Sequence, residues 1–327
     1  CPFFYPSKPL SLRRILIPKI MFCGVDIGGT NVEVGLVSEQ GELLDREGIK
    51  TGKFYSAPDL VLAIAESILR MTKQSRQPLE GIGIGCPNGR GDLGVVVEAA
   101  NLPFKGIVPM VDLFKQYFPD IPVALANDAN AAAVGELYYG KGAGLKDFVV
   151  VTLGTGLGTG FVVNGRAVDG ANGMAGECGH MTMIPGGRAC GCGRNGCLER
   201  YVTASGIVQT YKELCFKQQR EPATDNYKDL CGLSKQGDAV AIEAFRQAGE
   251  MLGWGLANIA LCTAPSHIFL YGGVAVGAGD CLLQPALQSF DVHLLYSYKG
   301  TVQIEYSGLL GKNGAILGAA SLPRQLK

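Results

Sequence analysis

The chain has 327 residues, of which 47% are hydrophobic, so it can bury one large core or two medium cores and is neither disordered nor fibrous. Lysine plus arginine equals aspartate plus glutamate at 29 each, which excludes a global field that would draw the protein to nucleic acid or to an anionic membrane. No apolar run approaches the roughly 20 residues that span a bilayer. We therefore expect a soluble, cytoplasmic protein.

The first twenty residues differ from the rest of the chain, with four basic groups, four prolines and no acidic residue. Pro18 interrupts their apolar stretch before it reaches the length of a secretory signal core, so no signal sequence is predicted. We expect residues 1–20 to be an N-terminal extension that is disordered or foreign to the native protein, with Met21 as the functional start.

Two glycine-rich hairpins are predicted, one near the start of the chain and one near its middle. The segments FCGVDIGGTNVEVGLV at 22–37 and FVVVTLGTGLGTGFVVNG at 148–165 each combine a β-branched run, a glycine and threonine turn, and a second alternating run. The repetition of this pattern indicates two related halves.

Helices and further strands follow each hairpin. A helix is predicted to begin near Pro58, whose fixed backbone angle suits a first helical turn, with Leu60, Ile64 and Ile68 on one face. The other predicted elements are a strand at 81–87, a helix at 129–138, a helix at 237–262 and a strand at 268–277 that ends in a glycine pair. Strands that alternate with helices favour α/β layers with a largely parallel component. Because no segment has the composition of a linker, we expect the two halves to pack closely around a cleft.

A carboxylate and a glycine turn stand at the end of the first predicted strand. Asp26 is followed by glycines whose backbone amides can approach an anion closely. The pattern is neither the nucleoside-triphosphate loop that ends in Gly-Lys-Ser/Thr nor the dinucleotide fingerprint with three spaced glycines. The residues predicted to hold a phosphate ligand here are Asp26, Gly28, Gly29, Thr30 and Asn31.

Later glycine turns repeat this feature, at Gly154, Thr155 and Gly156 and again at Gly272 and Gly273. Three such turns at separate strand ends would clamp a polyphosphate across a cleft, with amide and hydroxyl donors in place of fixed cations. ATP with Mg²⁺ fits this shape. The carboxylate of the first turn is the candidate to hold the magnesium through water, because magnesium keeps several waters of its own.

Four metal-ligating side chains fall within eighteen positions of the chain. His180 precedes Cys190, Cys192 and Cys197, which have the spacing C-x-C-x4-C, and such a set suits tetrahedral Zn²⁺ with no open position for water. We predict a structural zinc site. One alternative is that these are ordinary buried cysteines. The other is disulfides, which are less favoured because the chain has an odd number of cysteines, eleven, and their spacing is not that of a disulfide framework.

Five motifs in order resemble the ROK family (repressors, open reading frames and kinases). They are DIGGT at 26–30, NDANAA at 127–132, LGTGLGTG at 153–160, E-x-G-H at 177–180 and C-x-C-G-x2-G-C-x-E at 190–199. The resemblance covers the chain from about residue 22 to its end. The combination of the cysteine segment with NDAN is specific to this family.

The resemblance implies an α/β protein with the actin-like ATPase (ribonuclease H-like) fold, in which two lobes close over sugar and ATP. We expect a smaller lobe formed by residues 21–126 and 309–327 and a larger lobe formed by residues 127–308, which carries the zinc site. Homodimers or homotetramers are also implied.

The resemblance further implies an ATP-dependent hexose kinase that converts glucose to glucose 6-phosphate. Asp128 would be the general base that accepts the proton of the 6-hydroxyl as its oxygen attacks the γ-phosphate. A carboxylate at a helix N-terminus has its pKa lowered by the amide dipoles, which keeps it ionised. The alternative role for Asp128 is a helix cap.

The same resemblance assigns a set of polar side chains to the sugar hydroxyls, because carboxylates accept and amides both accept and donate hydrogen bonds. The set is Asn101, Asn127, Asp128, Glu177, His180 and Glu199. His180 has a double role, with one ring nitrogen on zinc and the other facing the sugar. A departure from the family is Asn88, which follows a proline where glycine is common.

Three alternatives to a glucose kinase are open. The family includes kinases of N-acetylglucosamine, N-acetylmannosamine and fructose, whose specificity lies in loops. It also includes sugar-sensing transcriptional regulators, but these carry a DNA-binding domain in front, for which about twenty residues are too few. A catalytically silent sugar-binding module is disfavoured because the base and the phosphate turns are intact.

Overall fold

The computed structural model describes residues 20–99 and 102–326. All but the last residue of the predicted extension at 1–20 therefore lies outside the described residues, and so does Asn101, a predicted sugar ligand. Among the helices of the described ranges, none is long and apolar enough to cross a membrane.

Thirteen strands and ten α-helices make up the described chain. The strands are β1 (Met21–Ile27), β2 (Asn31–Ser38), β3 (Leu43–Lys50), β4 (Leu79–Gly85), β5 (Gly89–Arg90), β6 (Val95–Val97), β7 (Ile107–Val108), β8 (Val123–Ala126), β9 (Phe148–Leu153), β10 (Leu157–Val163), β11 (Arg166–Ala167), β12 (His267–Tyr271) and β13 (Gln303–Tyr306). The helices are α1 (Ala57–Ser75), α2 (Met110–Lys115), α3 (Asp128–Tyr139), α4 (Glu199–Val202), α5 (Ala204–Lys217), α6 (Tyr227–Lys235), α7 (Ala239–Thr263), α8 (Gly273–Ala278), α9 (Asp280–His293) and α10 (Gly314–Ser321).

Two five-stranded sheets have the same topology. The first has the order β3-β2-β1-β4-β8 and the second β11-β10-β9-β12-β13. In each sheet, three consecutive strands of the chain pair antiparallel with one another. Two later strands lie on the other side of the first of these three and run parallel to it. Strands β5, β6 and β7 form a small separate sheet. This duplicated α/β arrangement is the actin-like ATPase fold, as predicted, and it also confirms the two related halves.

Both predicted hairpins are present. Strands β1 and β2 pair antiparallel, as do β9 and β10, with the glycine turns at their tips. Helix α1 begins after Ser56, whose hydroxyl accepts a hydrogen bond from the Asp59 amide, and it buries Leu60, Ile64 and Ile68 on one face as predicted. These elements are local, so periodicity and capping chemistry predict them well.

The predicted strand at 268–277 is wrong in its second half. Strand β12 ends at Tyr271, and helix α8 begins at Gly273. Between them Gly272 has φ +113°, and a Cβ there would lie 2.4 Å from the Leu153 carbonyl oxygen, so only glycine allows the chain to turn here. The valines of α8 favour a strand by propensity, but this bend overrides that preference.

Helices α3 and α10 lie between the two sheets. A Cβ on Gly24 of β1 would lie 2.1 Å from the Ile316 carbonyl oxygen, so α10 packs directly on the backbone of the first sheet. Helix α3 packs in the same way on the second sheet, since a Cβ on Gly160 would lie 2.5 Å from the Ala129 carbonyl oxygen. The two helices also pack against each other. The N-terminus of α3 is therefore held where the sheets face one another.

The other end of α3 is fixed by a buried carboxylate. Glu136 is fully buried and accepts hydrogen bonds from the amides of Lys141 (2.7 Å) and Gly308 (2.9 Å) and from the hydroxyl of Ser307. These contacts join the C-terminus of α3 to the loop that leads into α10.

Candidate active site

A cleft with a cavity volume of about 300 Å³ lies at the N-terminus of α3. Strand ends and turns from both sheets converge on it. Its lining residues are Pro87, Asn88, Asn127, Asp128, Ala129, Thr152, Leu153, Gly154, Thr155, Gly156, Leu157, Gly158, Thr159, Gly176, Glu177, His180, Glu199, Tyr271 and Gly272. The structure thus brings together the predicted base, four other predicted sugar ligands and most of the two later glycine turns.

Asp128 is the first residue of α3 and is exposed to the cleft. The helix cap is the preceding residue, Asn127, whose side-chain oxygen accepts the Asn130 amide at 2.7 Å. The carboxylate of Asp128 accepts only the amide of Ala129, at 3.0 Å, among the hydrogen bonds of the described residues. The alternative that Asp128 is the cap therefore does not hold, and most of its accepting capacity is free for a ligand.

Asp26 lies near Asp128, at the end of β1. Burial, together with the negative charges of Asp128 and Glu33, raises the pKa of the Asp26 carboxyl to about 6. A half-buried carboxylate with two acidic neighbours is a favourable place for a cation, which would relieve both the desolvation and the repulsion.

The rest of the first glycine turn is held from β3 and the segment after it. The Thr51 hydroxyl donates to the Gly28 carbonyl at 2.8 Å, and the Gly28 amide donates to the Asn31 carbonyl at 2.9 Å. Gly29 and Thr30 are exposed at the tip, and within the described hydrogen bonds their amides donate to no protein group. None of the described lining residues of the cavity comes from this turn, so the structure does not bring the predicted phosphate residues Asp26, Gly28, Gly29, Thr30 and Asn31 into the cavity that holds Asp128.

The second glycine turn, between β9 and β10, is closed by a hydrogen bond from the Gly154 amide to the Gly156 carbonyl at 3.0 Å. Just after it, the Leu157 amide donates to Glu199 Oε2 at 3.1 Å and the Gly158 amide donates to Thr152 Oγ1 at 3.1 Å. The turn is therefore fixed to the segment that follows the cysteines.

The predicted zinc ligands converge. One ligand atom from each of His180, Cys190, Cys192 and Cys197 lies within 4.8 Å of the others. The Cys192 and Cys197 sulfurs are 3.6 Å apart, and His180 Nδ1 is 3.6 Å from Cys190 Sγ. Tetrahedral zinc with Zn–S of about 2.3 Å and Zn–N of about 2.0 Å requires S···S of about 3.8 Å and N···S of about 3.6 Å.

The residues present therefore fit a tetrahedral metal. The same distances exclude a disulfide between Cys192 and Cys197, whose sulfurs would be bonded at about 2.05 Å, and the cysteines of the described chain are free.

Arg188 also stabilises this segment. Its guanidinium donates to the carbonyls of Arg200 and Gly206 and lies 4.7 Å from the centroid of the Tyr201 ring, on which it stacks.

His180 belongs both to the cysteine cluster and to the lining of the cleft. The second ring nitrogen of His180, Nε2, lies 3.9 Å from Glu177 Oε2, so the ring joins the cysteine cluster to the cavity. The pKa of Glu177 is raised overall. Burial has the largest effect, the His180 ring opposes it, and the negative charges of Asp128 and Glu199 add to it.

Ten of the lining residues were not predicted to be functional, and two of them, Tyr271 and Asn88, have distinctive surroundings. Tyr271 lines the main cleft and also an adjoining cavity of about 430 Å³, which Glu33 and Arg46 help to line. Asn88 has φ +55°, and its side-chain amide donates to the Glu98 carbonyl at 3.2 Å. A signal for Asn88 was available, because asparagine is the residue other than glycine that adopts this conformation most readily. Tyr271 stands directly before the third glycine turn, so its place in the cleft follows from the position of that turn.

The chain is similar to known proteins along nearly its whole length. The ROK family matches residues 22–326. The chain is 34% identical to a glucokinase of Halalkalibacterium halodurans, over 93% of this chain and 95% of the relative. The crystal structure of a ROK hexokinase from Thermus thermophilus has a TM-score of 0.82 and 30% identity, over 94% of this chain and 99% of that one.

A second solved structure is a ROK family glucokinase from Streptomyces griseus in complex with glucose and AMPPNP, with a TM-score of 0.74 and 31% identity, over 93% of this chain and 99% of that one. The chain belongs to the ROK family.

Proposed function

We propose that the protein is an ATP-dependent hexokinase that phosphorylates glucose at its 6-hydroxyl. The observation that carries this proposal is the exposed Asp128 carboxylate, which lies in one cleft with a set of sugar-binding side chains and a phosphate-type glycine turn. Relatives named glucokinase and hexokinase support the same reaction and substrate.

The reaction is an in-line transfer of the γ-phosphoryl group. The proton of the 6-hydroxyl passes to the Asp128 carboxylate as the O6–P bond forms, while the bond between the γ-phosphorus and the β,γ-bridging oxygen breaks and ADP leaves with that electron pair. Positioning and electrostatic stabilisation supply most of the rate in such reactions, so a carboxylate can serve as the base if the proton moves late.

The sugar ligands come from three segments of the chain. Asn127 follows β8, Glu177 and His180 precede the three cysteines in sequence, and Glu199 follows them. Carboxylates suit vicinal hydroxyl pairs because each oxygen accepts a hydrogen bond without adjustment of a donor. The free ring nitrogen of His180 can contact a sugar hydroxyl, since Nδ1 is taken by the cysteine cluster.

The phosphates are held by the glycine turns. Gly154, Thr155, Gly156 and Gly272 line the cavity, and the first turn would add the exposed amides at its tip. Asp26 would hold Mg²⁺, which neutralises phosphate charge when bound. Zinc, held by His180 and the three cysteines, would supply no chemistry of its own and would fix the segment that carries Glu199.

The test is ADP release with Mg-ATP on a panel of hexoses that includes glucose, fructose, N-acetylglucosamine and N-acetylmannosamine. We expect turnover on glucose and a loss of kcat of about 10²–10⁴ in Asp128→Asn, with glucose binding retained. Asp45→Asn, at an exposed position of β3, is the matched control and should keep full activity. Turnover only on an N-acetylhexosamine would correct the substrate, and near-normal turnover of Asp128→Asn would remove it as the base.

A further inference from the structure

The carboxylate of Glu199 touches more than the sugar cavity. Its Oε2 accepts the Leu157 amide at 3.1 Å, just after the second glycine turn. A Cβ on Gly156 would lie 2.9 Å from the same oxygen, so the turn and the carboxylate are packed together. The other oxygen, Oε1, lies 3.9 Å from Cys190 Sγ. One side chain therefore adjoins the sugar cavity, the glycine turn and the cysteine cluster.

The same segment holds the other end of the turn. The Ala204 amide, at the start of α5, donates to the Gly154 carbonyl at 3.3 Å. Thr203, between α4 and α5, donates through its hydroxyl to the Glu199 carbonyl at 2.8 Å, which fixes the short helix between the two contacts. The turn is therefore held at both ends by residues 199–204, which begin two positions after the last cysteine of the cluster.

Glu177 provides a natural comparison. It lines the same cavity and is about half-exposed, with 53% of its side chain accessible. Its carboxylate lies 3.9 Å from the His180 ring, and among the described hydrogen bonds it makes none to the glycine turn. Both glutamates thus line the cavity, but among the described hydrogen bonds only Glu199 also reaches the turn.

We propose that Glu199 is a positioning residue that couples sugar binding to nucleotide binding. The proposal rests on the proposed function. A sugar hydroxyl that donates to Glu199 fixes the rotamer of the carboxylate, which fixes the Leu157 amide and with it the turn that presents donors to the phosphates. Linkage then requires that nucleotide increases the affinity for sugar by the same factor as sugar increases the affinity for nucleotide.

The contact is strong enough to matter. A hydrogen bond from a backbone amide to a charged acceptor contributes on the order of tenfold or more to an equilibrium. Its removal leaves the Leu157 amide without its partner at the edge of the cleft. We therefore expect nucleotide affinity to fall about tenfold when Glu199 is truncated, even with no sugar present.

The experiment measures the dissociation constant of Mg-AMPPNP with and without saturating glucose by calorimetry. The wild type should bind the nucleotide more tightly with glucose. Glu199→Ala should bind it about tenfold more weakly without glucose and should lose the coupling, whereas Glu199→Gln keeps an acceptor for the Leu157 amide and should stay within about threefold of the wild type. Glu177→Ala, the matched control, should leave nucleotide affinity without sugar unchanged.

Zinc content and the unfolding temperature of each variant show whether it is folded and loaded. Equal effects of Glu199→Ala and Glu177→Ala on nucleotide affinity without sugar would overturn the proposal, and so would an unchanged affinity in Glu199→Ala. Wild-type protein that phosphorylates glucose with no coupling would refute the coupling alone. Wild-type protein that phosphorylates no hexose would instead refute the proposed function.

Discussion

Replacement of Asp26 by asparagine should stabilise the free protein at neutral pH while it removes activity. Burial and the charges of Asp128 and Glu33 raise the Asp26 pKa from 3.8 to about 6. The folded state therefore binds this proton more tightly than the unfolded state. The protonated Asp26 carboxyl contributes its full stabilisation of the folded state below pH 4, and this contribution is lost as the pH rises through about 6.

The shift sets the size of the effect. A shift of about two pKa units corresponds to about 3 kcal/mol, and solvent screening of this partly exposed side chain makes that an upper bound. Asparagine has nearly the same shape and no charge. The free energy of unfolding of Asp26→Asn at pH 8 should therefore exceed that of the wild type by about 1–3 kcal/mol. The two proteins should be equal near pH 4.

Urea unfolding of both proteins at pH 4, 6 and 8 measures this difference, with Asp45→Asn as a control at an exposed position of the same sheet. The pH dependence of the difference isolates Asp26 from the other groups that titrate. A difference independent of pH, or a less stable variant at pH 8, would refute the reasoning. Mg-ADP should stabilise the wild type more than the variant, since only the wild type has the carboxylate for the cation.

The remaining predictions concern the metal cluster and the glycine turn. Cys190→Ser should lose bound zinc, measured by elemental analysis, together with glucose affinity, because the segment that carries Glu199 is no longer fixed; full activity in a metal-free preparation would contradict a structural zinc site. Gly156→Ala should raise KM for ATP several-fold, since its Cβ displaces the Glu199 carboxylate 2.9 Å away, and an unchanged KM in steady-state kinetics would show that the turn tolerates the shift.

The fold could be predicted where its signals are local. The two hairpins and α1 follow from period-two and period-3.6 patterns, and the structure confirms them. Strand β3 was not predicted because its sequence LLDREGIK is charged and mostly exposed, so it has no clean alternation. Helix α10 is apolar on all sides, and its place is decided by the glycines of β1 and β4, more than two hundred residues away in sequence.

The site shows the same limit. The grouping of Asp128, Glu177 and His180 was accessible through the resemblance to a family, because their motifs are short and ordered. The bond between Glu199 and Leu157 joins residues 42 positions apart and involves a backbone amide, for which no side-chain pattern exists. Tyr271 lines the cleft because β12 ends at this residue, directly before the third glycine turn.

The close contact between α3 and α10 has a mechanical consequence. A Cβ on Gly135 would lie 2.7 Å from the Gly318 Cα, so the two helices touch through their backbones. Helix α10 packs on the first sheet and α3 on the second, so this contact joins the two sheets. Surfaces of glycine and alanine have no interlocking ridges, and one helix can slide or rotate on the other without changes of rotamer. Glu136 fixes the far end of this pair, so the freedom is greatest at the cleft. We therefore expect the two sheets to move relative to each other about this helix crossing when a substrate binds.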